Sequence, residues 1–285
     1  MKRLFLLNTF LFCFHVFGWN DMGHAIVAQI AYNSLSPDVK AKADALISSL
    51  DSFYPADNTF VKAATWADHI RSDWKAFERW HYVDQPFATN RTLRADRLSN
   101  ENIVWALCQS TFALQHEDKL ARAMMLRFLL HFVGDIHQPL HAITRLEPLR
   151  PHGDHGGNDF HIMVDGKPMN LHIYWDIGLG QFEAVGMDKV PSMAAQYTKE
   201  FPREKMASKA SNMTYSTWAK ESYLLSKKNV YKLPEGSSPD KAYRENGQRL
   251  VREQIALAGY RLAHLLERLI GTSNETLLTG CPAKS

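Results

Sequence analysis

The stretch His131-Phe-Val-Gly-Asp135-Ile-His137-Gln-Pro139-Leu-His141 gathers four groups that can ligate a transition metal. Zinc takes imidazole nitrogen and carboxylate oxygen, and protein sites collect such donors from several segments. His131 and Asp135 are four residues apart, so a helix sets both on one face, one turn apart. Pro139 cannot continue that helix, so the chain turns beyond it and can swing His141 back to the same region. His137 lies about 240° round from His131 on a helical wheel and points elsewhere. His131, Asp135 and His141 are therefore the better set. A second cluster, Asn170-Leu-His172-Ile-Tyr-Trp-Asp176, repeats the His-x-x-x-Asp spacing. One such pair on a helix is ordinarily a surface ion pair. Two are harder to dismiss when one lies within an apolar helix, where a carboxylate is costly without a cation beside it.

The elements that position these residues read as helices. Apolar residues recur at helical spacing through most of the chain. Ser36-Pro37-Asp38 is a helix start leading into Val39 to Leu50. Further helices are expected over 102–115, 120–135, 187–201, 215–226 and 239–270, the last being the longest. Strand signal is confined to a hairpin, Phe160 to Val164 and Lys167 to Leu171 around Asp165-Gly166, and a short extended piece at His81-Tyr82-Val83. No internal repeat or low-complexity linker divides the chain. The expected fold class is all-α: a single helical domain with a small β-hairpin.

Residues 1–18 read as a signal peptide: Met1-Lys2-Arg3, an apolar run through Phe17, then Gly18. The run is interrupted by Asn8 and His15 and falls short of the ~20 residues of a membrane span. The expected mature protein begins at Trp19, runs to Ser285, and is secreted or periplasmic with no membrane insertion. The 33 Lys plus Arg barely exceed the 30 Asp plus Glu. A polyanion binder relying on surface Lys and Arg is normally far more basic, so attraction for phosphate would have to come from bound metal. The mature chain keeps Cys108 and Cys281, which in an oxidising compartment form either a disulfide or two buried thiols. Asn90-Arg91-Thr92, Asn212-Met213-Thr214 and Asn274-Glu275-Thr276 fit the glycosylation pattern.

His131 to His141, Gly156-Gly157-Asn158-Asp159 and His172-x-x-x-Asp176 together resemble the S1/P1 nuclease family of trinuclear zinc enzymes, whose fold is phospholipase C/P1 nuclease-like. Trp19 with His24, Trp66-Ala67-Asp68-His69-Ile70-Arg71 and Trp80-His81-Tyr82-Val83-Asp84 continue the resemblance in the family's order. It covers Trp19 to Asp176 and implies three Zn²⁺. Asp68, His81, His131 and Asp135 would hold the first; His141, His172 and Asp176 the second. The third would take His24, Asp135 and the α-amino nitrogen and carbonyl oxygen of Trp19, an amine that exists only once Gly18 is removed.

The resemblance further implies hydrolysis by metal-bound hydroxide of single-stranded DNA, RNA and 3′-nucleotides to 5′-phosphorylated products. Asp68 and Arg71 are then the candidate catalytic groups, orienting the hydroxide and holding a phosphate oxygen. Tyr82 would stack on an unpaired base, Asp84 would accept hydrogen bonds from its edge, and Asn158 would touch substrate. His69, His137, His152, His155 and His161 are left as supporting or surface residues. No protein partner is implied, and the chain is expected to act as a monomer. Zinc-dependent phospholipase C is the nearest rival, but it usually ends its second site in Glu where this chain has Asp176. A zinc-storing binding protein is the non-enzymatic rival, and it would need saturated metal sites.

Overall fold

The computed structural model describes residues 19–71, 73–88, 96–271 and 280–281. The expected signal peptide and the sequons at Asn90 and Asn274 lie outside these residues. Eleven helices are found among the described residues: α1 (Asp21–Ser34), α2 (Pro37–Ser48), α3 (Phe60–Ala63), α4 (Trp66–Arg71), α5 (Ile103–His116), α6 (Lys119–Asp135), α7 (Leu171–Asp176), α8 (Val190–Glu200), α9 (Arg203–Ala210), α10 (Tyr215–Asn229) and α11 (Lys241–Leu269). Two small sheets join them. The hairpin of β3 (His161–Val164) and β4 (Lys167–Asn170) is antiparallel, as its Asp165-Gly166 turn requires. The pair of β1 (Pro86–Ala88) and β2 (Thr144–Leu146) is parallel and joins segments distant in sequence.

Polar caps set the helix starts that matter for the site. The carboxylate of Asp118 accepts from Leu120 N and Ala121 N and opens α6. Asn170, the last residue of β4, accepts from Ile173 N and converts the hairpin directly into α7. Asn20 caps α1 by accepting from Gly23 N, while its own N–H donates to Asp176 O (3.2 Å). Each such cap is worth about 1 kcal/mol. The caps fix which turn of each helix carries its chemistry.

α6 is the central element, packed against α1, α2, α4, α5 and α11. Every residue from Leu126 to Asp135 on it is buried. Arg127 of α6 is wholly buried as well. Its guanidinium donates to Asp57 O (2.7 Å) and to Ile47 O of α2 (3.0 Å), pairing both terminal nitrogens of the charged head with backbone carbonyls. α11 closes the other side of α1. Cys108 of α5 is bonded to Cys281, which fastens the C-terminal tail to the helical body.

The structure departs from the sequence reading in several places, among them α9 and the β1–β2 pair, where no element was expected. α1 is a full helix although no periodic pattern announces it. Met187–Lys189 form a 3-10 turn ahead of α8, where one continuous helix was expected. His81 closes a 3-10 segment, Lys75–His81, and the extended backbone begins only at Tyr82. The remaining sequon, at Asn212, lies in the turn before α10, where Asn212 Oδ1 accepts from Thr214 N (3.0 Å).

Candidate metal centre

Six elements deliver the candidate ligands. α1 carries His24, α4 Asp68, and the end of α6 both His131 and Asp135. The 3-10 segment Lys75–His81 supplies His81, a second 3-10 segment, Pro139–Ala142, supplies His141, and α7 supplies His172 and Asp176. Pro139 opens that second segment, so the chain does fold back beyond α6. All eight side chains are buried.

Asp135 stands at the junction. Its Oδ2 lies 3.1 Å from His131 Nε2 and 3.0 Å from His81 Nδ1. Its Oδ1 faces the other way, 3.3 Å from His24 Nε2. One carboxylate thus presents an oxygen to each of two donor sets, the geometry a bridging ligand needs. Asp68 Oδ1 is 3.7 Å from His131 Nε2 and 3.8 Å from His81 Nδ1. His24, Asp68 and His131 also come within reach of one another, so the first and third groups form one continuous cluster. The other group adjoins it through His141, whose Nδ1 is 3.7 Å from Asp135 Oδ1: His141 Nε2 and His172 Nε2 are 3.2 Å apart, with Asp176 Oδ2 3.5 Å from His172 Nε2. Trp19 is fully buried at the start of α1.

Backbone carbonyls fix the imidazole tautomers. His131 Nδ1 meets Ala64 O, His141 Nδ1 meets His81 O and His172 Nδ1 meets Gly156 O, each at 2.7 Å. A carbonyl only accepts, so Nδ1 carries the proton and the Nε2 lone pair faces the cluster. The facing Nε2 atoms of His141 and His172 are then two acceptors in contact, an arrangement that a cation between them stabilises. The same holds for His24 Nε2, Asp68 Oδ1, Asp135 Oδ1 and Asp176 Oδ2, buried atoms to which no hydrogen bond is assigned. Native proteins rarely leave such atoms unsatisfied. Mixed imidazole and carboxylate donors in three groups fit zinc.

Electrostatics point the same way. Burial pushes His24, His81 and His141 below the ordinary histidine value, favouring the neutral ligand form. Burial acts on His131 too, but Asp135 and Asp68 outweigh it and raise the group to about 9. Burial drives the Asp176 carboxyl well above its usual range. A divalent cation reverses both of these last trends, displacing the proton from imidazole and carboxylate alike.

A cleft of about 460 Å³ opens onto these ligands. Arg71, Tyr82, Asp84 and Asn158 border it along with His81, His141 and His172, so every substrate-contacting candidate meets the metal-ligand candidates at one opening. Arg71 Nη1 is 3.6 Å from Asp68 Oδ1. Burial pushes the Asp84 carboxyl up to about 6 against the pull of His155. Asn158 Nδ2 donates to His155 O (2.7 Å). His155 itself lines the cleft, closer to the chemistry than sequence alone suggests. His137 is turned away as expected, with Nδ1 on Val133 O and Nε2 against Arg261 Nη1 (2.8 Å).

Two contributors escape the sequence reading. Gln138 Nε2 donates to Asp176 Oδ1 (2.6 Å), holding the carboxylate so that Oδ2 faces His172. Gly134 lets α1 approach α6: a Cβ there would sit 2.6 Å from His24 Nδ1. Gln138 adjoins Pro139 in the motif, and Gly134 interrupts an otherwise apolar helix; only the second is a signal a sequence can carry.

A helical shell closing on clustered His/Asp donors, with a cleft above them, defines a protein with buried groups that could hold metal ions. The S1/P1 Nuclease family model matches residues 19–271, and the chain belongs to that family. Nuclease P1 of Penicillium citrinum is 31% identical over 173 residues, 57% of this chain and 58% of that protein. Nuclease S1 of Aspergillus oryzae is 28% identical over 275 residues, covering 88% and 91%. Endonuclease 2 of Arabidopsis thaliana is 24% identical over 284 residues, covering 90% and 92%. The chain thus spans little more than half of nuclease P1 and about nine tenths of the other two.

Proposed function

We propose that this protein is a secreted, zinc-dependent phosphoesterase that cleaves single-stranded DNA and RNA to 5′-phosphorylated products and releases inorganic phosphate from 3′-nucleotides. The observation that carries the reading is Asp135, whose two oxygens face different donor sets beneath a cleft lined by Arg71, Tyr82 and Asp84. The names of the relatives, nucleases and endonucleases, support it. Its mature form is one domain beginning at Trp19. The leader in the sequence and the Cys108–Cys281 bond support export.

Asp68, His81, His131 and Asp135 would hold one zinc ion, His141, His172 and Asp176 a second, and His24, Asp135 and the Trp19 terminus a third. Bound zinc supplies Lewis-acid polarisation of phosphoryl oxygens and lowers the pKa of water towards neutral. The protein's own groups do the positioning. Arg71 holds a non-bridging oxygen of the phosphate as charge builds on it. Asp68 Oδ1 accepts a hydrogen bond from the attacking water and aims it at phosphorus. The bond to the 3′ oxygen breaks, leaving a 3′-hydroxyl and a 5′-phosphate.

Tyr82 offers a face to an unstacked base, and the Asp84 carboxylate accepts from that base's edge. A paired base exposes neither, which gives the preference for single strands. All the ligands come from one chain, so the monomer is the functional unit. The test is zinc content of the mature protein measured alongside digestion of single-stranded DNA, double-stranded DNA and phosphatidylcholine. About three zinc ions per chain with single-strand cleavage is expected. Cleavage of phosphatidylcholine alone would establish the phospholipase reading instead, and stoichiometric zinc with no turnover the storage reading.

A further inference from the structure

A second pocket of about 290 Å³ adjoins the cleft, and Tyr82, Asp84 and His155 line both. Its apolar lining comes from Val83, Pro86, Leu98 and Leu146, and its cationic lining from Arg79 and Arg97. Apolar surface beside two guanidinium groups matches a nucleotide, whose base is flat and weakly polar and whose phosphate is anionic. We propose that this pocket binds the nucleotide next to the one being cleaved, on the side away from the metal centre, with Arg79 and Arg97 taking its phosphate. The proposal rests on the nuclease reading and deepens it by setting oligonucleotides apart from mononucleotides.

The dividing wall is held in place at both ends. Val83 N donates to His141 O (2.8 Å), tying the wall to a candidate ligand segment, and Ile103 N donates to Tyr82 O (3.1 Å), tying it to the start of α5. A side chain bordering both pockets can meet successive bases of one strand, so Tyr82 suits a strand that passes over it. Other polar groups of the pocket have their own partners. Asn102 caps α5 through Val104 N and Trp105 N and donates to Ser99 O. Asp96 is 2.8 Å from His152 Nδ1. Phosphate recognition therefore falls to Arg79 and Arg97, and the charge of Arg79 also pulls against the raised Asp84 carboxyl. A lone 3′-mononucleotide fills the first cleft and has no second phosphate to offer this pocket.

The experiment compares the wild type with the Arg79→Ala/Arg97→Ala double variant on a 3′-mononucleotide and on a short single-stranded oligonucleotide. Both arginines are exposed, and surface substitutions of this kind seldom disturb folding. KM for the oligonucleotide should rise about tenfold with kcat unchanged, and its dependence on log salt concentration should flatten by about 1. Mononucleotide hydrolysis should stay within about twofold. The proposal is overturned if the ratio of oligonucleotide to mononucleotide kcat/KM does not change. That includes the case in which both activities fall together, since the arginines would then serve the whole fold. A wild type that cleaves neither substrate would instead remove the nuclease reading itself.

Discussion

The imidazole of His24 lies flat on that of His131, ring centroids 3.8 Å apart and planes 15° from parallel. Two helices distant in sequence meet there, and α6 allows it only because Gly134 presents no side chain. Gly134→Ala should push His24 off its position and weaken the third metal group. The expected outcome is a loss of about one zinc ion per chain and an activity drop of about 10–100-fold. Metal analysis with a kinetic assay on the same sample checks it; a variant with full zinc content would sink the idea.

Gln138 steers Asp176 without facing the cluster. Gln138→Ala leaves Asp176 Oδ1 without its 2.6 Å donor, and zinc affinity at the second group should fall about 10–100-fold. Competition with a chromogenic chelator measures this independently of turnover. An unchanged release curve would reduce Gln138 to a packing role.

Asp84 carries a pH dependence whose sign follows from burial. Its folded pKa of about 6 lies above the ordinary 3.8. Between those values the folded state keeps a proton that the unfolded state has released, so the group's contribution to stability declines as pH rises and is lowest above about 6. Asp84→Asn should therefore stabilise the protein by about 1–3 kcal/mol at pH 7. The gain should vanish near the unfolded pKa. The same change replaces a charged acceptor on the base-binding face with a neutral amide that also donates, so KM for single strands should rise. Denaturant unfolding at two pH values, with steady-state kinetics, tests both halves.

The N-terminus gives a sharper test. An amide nitrogen is a poor zinc ligand and a free amine a good one, so one extra residue before Trp19 should cost a metal ion and most activity. A full zinc complement and full activity in the extended protein would refute chelation by Trp19.

The Cys108–Cys281 bond closes a loop of 173 residues. Cys281→Ser should lower unfolding stability by about 2–5 kcal/mol while KM stays unchanged. Equal denaturant midpoints for the two proteins would show that the tail adds nothing to the fold.

The parts of this site that a sequence reveals are those built on local periodicity. His131 with Asp135 and His172 with Asp176 are each one helical turn apart, and the Asp165-Gly166 turn marks the hairpin feeding α7. α1 is invisible for a physical reason: from Met22 to Ala31 only Gln29 escapes burial, so no polar face alternates with an apolar one. His24 is therefore found through the family resemblance, not through a pattern. The β1–β2 pairing joins residues 86–88 to 144–146, and no local signal encodes so distant a partner. Gln138 looks like any glutamine before a proline until Asp176 is seen opposite it.

The hydrogen bond from Asn20 N to Asp176 O has a consequence for biosynthesis. The first and last candidate ligand segments are neighbours in space, so an emerging polypeptide cannot close the ion cage until α7 has left the ribosome and folded. Early fragments offer only scattered imidazoles with little hold on zinc. On the zinc-dependent reading, loading is thus a late event that locks an already assembled shell, and any species that binds the ions tightly counts as folded through α7.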